Sequence, residues 1–217
     1  MKNFSLIGNP LSHSISPLLH SSIFSQLGLD HSYELKELKK EDLESFVNRN
    51  RYFGYNVTIP YKKTIFNYIN KFENSCEDIG STNCIFKGKG YNTDWKGFVL
   101  SLKKSNIDVS QKKCAIIGAG ATAKSIAYAL IELRCKSISI YNRTHENRIS
   151  LENWIRFKIK TYNTKNYDII INSTSLGMWP NVLESPMIKF ITSKDQIFYD
   201  VIYLSLIHIS EPTRQDR

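Results

Sequence analysis

The sequence predicts an α/β protein made of two units. Strand-like apolar runs alternate with helical patterns along the chain, as in parallel α/β arrangements. An apolar strand, a Gly-rich turn and a helix also follow one another from Cys114 to Leu130, past the middle of the chain. Such a turn opens many nucleotide-binding units, so something domain-sized precedes it here. The 217 residues suffice for one large or two small domains, and 41% apolar with 12% aromatic content supports a real core.

In chain order, the first strand is Phe4 to Ile7, and a helix follows from Pro17 to Leu27. Pro17 suits the first helical position, which makes Ser16 a natural N-cap. Strands are expected at Tyr33 to Leu38, Tyr55 to Ile59 and Cys84 to Phe86, with helices at Lys40 to Arg49, Tyr61 to Ile69 and Trp95 to Lys104. Asp94 can cap the last of these. The polar segment Lys103 to Lys113 reads as the hinge. Beyond it come strand Cys114 to Ile117, helix Ala123 to Leu133, and strands Ser137 to Tyr141, Ile169 to Asn172 and Ile197 to Val201. No internal repeat or low-complexity stretch interrupts the series.

The net charge of +9 invites a nucleic-acid reading. The lysines are scattered on amphipathic segments, however, and aromatics do not interleave with them as stacking platforms would. An attraction for anionic small molecules is the better use of the charge. The longest apolar runs, such as Ile169-Ile170-Ile171, are too short to span a bilayer, and the N-terminus lacks a signal-peptide pattern. Cys76, Cys84, Cys114 and Cys135 have neither C-x-x-C nor metal-ligand spacing, so reduced thiols in a cytoplasmic protein are expected and no metal site.

In Gly118-Ala119-Gly120-Ala121-Thr122-Ala123 the glycines stand where a dinucleotide loop needs them. Gly118 can make the tight turn, Gly120 lets backbone N–H groups approach a pyrophosphate, and Ala123 permits close helix packing. About twenty residues on, where an NAD site places an acid, the next strand ends in Asn142-Arg143-Thr144. A planar cation flanked by hydrogen-bonding side chains suits a 2′-phosphate, which favours NADP.

Four earlier segments are too polar to be ordinary turns: Asn9 to Pro17, Asn56 to Lys62, Ser81-Thr82-Asn83 and Tyr91 to Asp94. Ser14 and Ser16, beside a helix N-terminus, can bind a carboxylate. Thr58 and Lys62 fall at a strand's carboxyl end, where ligands bind in open α/β sheets.

With these motifs in place the chain resembles the shikimate dehydrogenases. NPLSHSISP, NVTIPYK, STN, NTD, GAGATA, NRT, NSTSLGM and YDVIY occur in family order over more than nine-tenths of the chain. The resemblance implies an N-terminal α/β substrate-binding catalytic domain at 1–98 and a Rossmann-like NADP-binding domain at 99–204, with a cleft between them. It implies reversible, NADPH-dependent reduction of 3-dehydroshikimate to shikimate, with no nucleic-acid or membrane partner. Ser14 and Ser16 match the family's carboxylate ligands. Thr58, Asn83 and Asp94 match its ring-hydroxyl ligands, and Tyr203 a further substrate contact. Lys62 and Asp94 match the catalytic pair. Gly118, Ala119, Gly120, Ala121 and Thr122 match the pyrophosphate loop, Asn142, Arg143 and Thr144 the adenosine-phosphate clamp, and Thr174 and Val201 the nicotinamide side. Which of Lys62 and Asp94 is the ultimate base stays open. So do a quinate/shikimate dehydrogenase using NAD and a shikimate-binding protein without turnover.

The chain departs from the family in three places. The segment between Thr144 and Tyr167 is short, and Asn147 stands where relatives often place a second phosphate-binding Arg. Nothing in residues 205–217 resembles the family; they read as a foreign tail in place of C-terminal helices. Weak stability and little activity are therefore expected of this chain.

Overall fold

The computed structural model describes residues 1–49, 51–159, 166–178, 182–186 and 193–202. The chain forms two compact units, Met1–Gly97 and Phe98–Arg217. Residues 103–113, read above as a hinge, lie inside the second unit.

The first unit holds one sheet of β1 (Lys2–Gly8), β2 (His31–Glu37), β3 (Gly54–Val57), β4 (Cys84–Phe86) and β5 (Lys89–Tyr91), in the order β2-β1-β3-β4-β5. β1 runs parallel to both neighbours, but β3–β4 and β4–β5 are antiparallel. The antiparallel pair arises because β4 and β5 are joined by only Lys87 and Gly88, at φ +50° and +73°. A two-residue turn with both φ positive makes a hairpin, whereas parallel pairing needs a long crossover.

The helices of this unit are α1 (Ser16–Gln26), α2 (Leu43–Arg49), α3 (Asn74–Ile79) and the start of α4 (Asp94–Lys104). Ser16 is the first helical residue, and Ile15 occupies the cap position. Helix α2 begins after a 3-10 turn at Lys40–Asp42, three residues later than the pattern suggested. The helix expected over Tyr61 to Ile69 is instead a run of turns with a 3-10 segment at Ile65–Tyr68. Tyr61, Ile65 and Ile69 do repeat every four residues and all enter the core. Yet Thr64, Ile65, Phe66, Tyr68 and Ile69 are β-branched or aromatic, which lose side-chain freedom in a regular helix. The core joins them to Ile7, Tyr55, Val57 and Ile85 from the sheet and Leu43 from α2.

The second unit holds β6 (Lys113–Ile117), β7 (Ser137–Tyr141), β8 (Ile169–Asn172) and β9 (Ile197–Asp200), all parallel, in the order β7-β6-β8-β9. Helix α5 (Ala121–Glu132) links β6 to β7, and α6 (His145–Arg156) follows β7. β6 is flanked on one side by β7 and on the other by β8, so strand order reverses beside it, and in open α/β sheets ligands bind at the carboxyl ends of the strands at such a point. Cys114, Ala115 and Ile116 are fully buried, as on a strand covered on both faces. Cys114 packs there as a small apolar residue, its thiol pushed up by a hydrogen bond with Cys135 and by burial.

Truncating Ile116 to alanine removes fully buried methyl groups at the centre of this sheet. It is expected to lower the unfolding free energy by about 2–5 kcal/mol, measured by denaturant titration.

Candidate active site

Parallel pairing of β1 with β3, in register at Ile7 and Val57, sends the segments after both strands out side by side. Antiparallel β4 begins opposite Asn56, so Asn83 arrives beside Val57, whose N–H donates to the Asn83 carbonyl at 2.9 Å. β5 returns to the same edge at Tyr91, where the Asn83 N–H meets the Tyr91 carbonyl at 3.1 Å. One end of the sheet thus collects Thr58, Lys62, Asn83 and Asp94.

There Lys62 Nζ donates to Asp94 Oδ2 at 2.7 Å, with side-chain exposures of 15% and 22%. Asn83 Nδ2 donates to the other carboxylate oxygen, Oδ1, at 2.7 Å and to Thr93 Oγ1 at 2.9 Å. The Thr93 N–H returns a bond to Asn83 Oδ1 at 2.8 Å. Beneath them, Asn92 is buried. Its Nδ2 donates to the Ser81 carbonyl at 3.0 Å and its Oδ1 accepts the Asp94 N–H at 3.1 Å. A half-buried ammonium and carboxylate are tolerable because each has its partner and the carboxylate has a second donor.

The serine loop is anchored separately. Asn9 Nδ2 donates to the Leu38 carbonyl, and the Leu11 N–H donates to the Glu37 carboxylate. Ser14 Oγ accepts the Ser16 N–H at 3.3 Å. Gly8 leaves room for Thr58, because a Cβ there would lie 2.5 Å from Thr58 Cγ2 and 2.9 Å from the Ile59 carbonyl oxygen. The peptide bonds before Pro10 and Pro60 are cis.

The second unit gathers its own groups at the carboxyl ends of its parallel strands. Gly118 turns at φ +113°, and its N–H donates to the Tyr141 carbonyl at 2.7 Å. Ala119 continues the turn and Gly120 caps α5, whose first residues are Ala121 and Thr122. A Cβ on Gly120 would point into open space, so backbone N–H groups at this helix end face room for an anionic group. Ala123 is fully buried where the helix meets its strand. Asn142 Nδ2 donates to the Thr144 carbonyl at 2.9 Å, closing a turn that leaves Arg143 exposed. Thr174 is tied to Asn172 Oδ1 through both its hydroxyl, at 2.7 Å, and its N–H, at 3.1 Å. The Val201 N–H meets the Asn172 carbonyl at 3.1 Å. Tyr203 and residues 205–217 lie outside the described residues.

Sequence reading did not single out Tyr33, Glu37, Asn56, Asn92 or Thr93. Asn56, Asn92 and Thr93 stand inside quoted motifs, so the motifs were the available signal; Tyr33 and Glu37 carry none. Among the described residues no group of acids, histidines and cysteines could hold a metal ion, and no helix is long and apolar enough to cross a membrane.

An α/β unit presenting hydroxyls, an amide and an ammonium–carboxylate pair, on one chain with a dinucleotide-loop unit, defines a nicotinamide-dependent oxidoreductase. Residues 6–85 match the shikimate dehydrogenase substrate binding domain, and residues 100–201 match shikimate/quinate 5-dehydrogenase. The chain belongs to the shikimate dehydrogenase family. A shikimate dehydrogenase (NADP(+)) of Caldanaerobacter subterraneus subsp. tengcongensis is 37% identical over 93% of this chain and 78% of its own length. A shikimate dehydrogenase solved with NADP+ superposes with a TM-score of 0.86 at 30% identity, covering 98% of this chain and 82% of that one. The enzyme of Thermus thermophilus, solved with NADP(H) and shikimate, gives 0.84 at 25% identity over 94% and 80%.

Gly118→Ala places a Cβ 2.5 Å from Ser173 Oγ, which is itself bonded to the Ile117 carbonyl, and does so at positive φ. A loss of about 1–3 kcal/mol of stability is expected in denaturant titration.

Proposed function

We propose that this chain catalyses the reversible, NADP-dependent interconversion of shikimate and 3-dehydroshikimate. The observation that carries the reading is the 2.7 Å pairing of Lys62 with Asp94, with Asn83 on the second carboxylate oxygen. Ser14 and Ser16 hold the substrate carboxylate, Thr58, Asn83 and Asp94 read ring hydroxyls, and Tyr203 adds a contact. In reduction the Lys62 ammonium donates a proton to the ketone oxygen. Asp94 keeps Nζ in place and balances its charge, so the two work as one coupled dyad.

NADPH supplies the hydride. Residues 1–98 serve the substrate and 99–204 the cofactor. Gly118, Ala119, Gly120, Ala121 and Thr122 cradle its pyrophosphate, and Thr174 and Val201 border its nicotinamide. Asn142 and Thr144 shape the turn from which Arg143 meets the 2′-phosphate. Arg148 is 3.5 Å from Glu152 and so is engaged along its own helix, which leaves Arg143 as the clamp's cation. Free thiols among the described residues and a biosynthetic role fit a cytoplasmic setting.

Mixing the chain with shikimate and NADP is expected to raise absorbance at the reduced-nicotinamide band. Shikimate binding with no such rise favours the binding-only reading instead. Lys62→Ala is expected to lower kcat by at least about 100-fold with a much smaller change in KM for shikimate; a KM effect alone, with normal turnover, refutes the role. Arg143→Ala is expected to raise KM for NADP by about 10-fold and leave KM for NAD nearly unchanged, in kinetics with each nucleotide. Equal effects on the two nucleotides would favour the NAD-using alternative.

A further inference from the structure

Asp94 is the first residue of α4, so its carboxylate points wherever the first turn of that helix is rotated. Lys62 Nζ meets Oδ2 and Asn83 Nδ2 meets Oδ1, both at 2.7 Å. The next two residues are anchored elsewhere. Trp95 Nε1 donates to Ser75 Oγ at 2.9 Å. The Ser75 hydroxyl donates in turn to Glu73 Oε2, and Lys96 Nζ stands 3.5 Å from Glu73 Oε1. Ser75 is buried at the start of α3, and the Glu73 N–H donates to the Gly90 carbonyl of β5 at 3.0 Å. The dock for the indole is thus tied to the same hairpin that delivers Asp94.

We infer that Trp95 is a positioning residue for Asp94, docked on Ser75 so that the first turn of α4 keeps the carboxylate facing Lys62. The inference rests on reading Lys62 and Asp94 as the proton-transfer dyad. Successive residues of an α-helix project about 100° apart, so fixing Trp95 fixes the direction in which Asp94 leaves the helix. The donors and acceptors balance. An indole N–H only donates, a serine hydroxyl accepts it while giving its own proton away, and an ionised carboxylate only accepts. Asn92 grips the Asp94 N–H at 3.1 Å, close to the helix axis, whereas the indole reaches outward and resists rotation with a longer lever. Lys96 is 48% exposed, so its ion pair adds little and the indole carries the dock. Phenylalanine keeps an aromatic ring at this position and loses the donor.

The test is Trp95→Phe in the full chain, read as kcat and KM for shikimate oxidation by NADP, with thermal unfolding followed in parallel. The kcat is expected to fall about 5–10-fold, as for one lost hydrogen bond, with KM for NADP within about twofold and cooperative unfolding retained. Ser75→Ala removes the acceptor and is expected to cost the same, and the double variant to stay within about twofold of either single one. A normal kcat, additive losses, or kcat and NADP affinity falling together with Tm overturns the inference. Should Trp95→Phe not fold, Ser75→Ala alone must lower kcat at least about fivefold while sparing KM for NADP; an unchanged kcat there overturns it equally. Asp94→Asn separates this inference from the reading beneath it. Turnover absent from the unmutated chain, or unaffected by Asp94→Asn, sinks the dyad and this inference with it. Turnover lost in Asp94→Asn but normal in Trp95→Phe sinks the inference alone.

Discussion

The arrangement of the first unit depends on keeping one ammonium and one carboxylate together out of full solvent. Neither charge could sit half-buried alone. Lys62 comes from the turns after β3, and Asp94 opens α4 after β5, so thirty-two residues of chain must fold back accurately for Nζ and Oδ2 to meet. The antiparallel hairpin of β4 and β5 does this by returning the chain to the edge it left. Asn92 then fixes the last step, because one side chain grips both the Ser81 carbonyl and the Asp94 backbone. The carboxylate is oriented by its neighbours on both sides, which leaves the pair little freedom to part.

Both units use the same physical device. Parallel strands end together, and the segments leaving them carry the polar groups: Thr58 after β3, Gly118 after β6, Arg143 after β7, Thr174 after β8. Glycine appears where backbone or side chains must come too close for a Cβ, as at Gly8 against Thr58 and Gly118 against Ser173. Different ligand chemistry is thus written on one scaffold plan by changing the loops at the strands' carboxyl ends.

Much of this was legible in the residues. Short apolar runs located eight of the nine strands among the described residues, and the polar motifs named the groups that the fold gathers. What escaped has physical causes. Lys89–Tyr91 is too short and too polar to announce a strand, and its existence depends on pairing with β4. Tyr61 to Ile69 repeats like a helix because its apolar residues must reach one core, yet its bulky side chains favour looser turns. Ser16 reads as a cap by its position before Pro17, whereas Ser14 supplies the oxygen that meets the helix start. The support around the site was the least visible part. Tyr33, Glu37 and Asn92 act across 23, 26 and 11 residues of sequence, and no local pattern records such partnerships.

The hairpin has one more consequence. Its tip, Lys87 and Gly88, lies at the far end of β4 from Asn83, roughly 10 Å away along the strand, and Lys87 is exposed there with an amine of its own. Asn83 and Asp94 flank the two strand ends opposite that tip. The bend is therefore a natural attachment point for a fluorophore or an affinity handle, able to report on Asn83 and Asp94 through the ribbon that carries them without standing in their way.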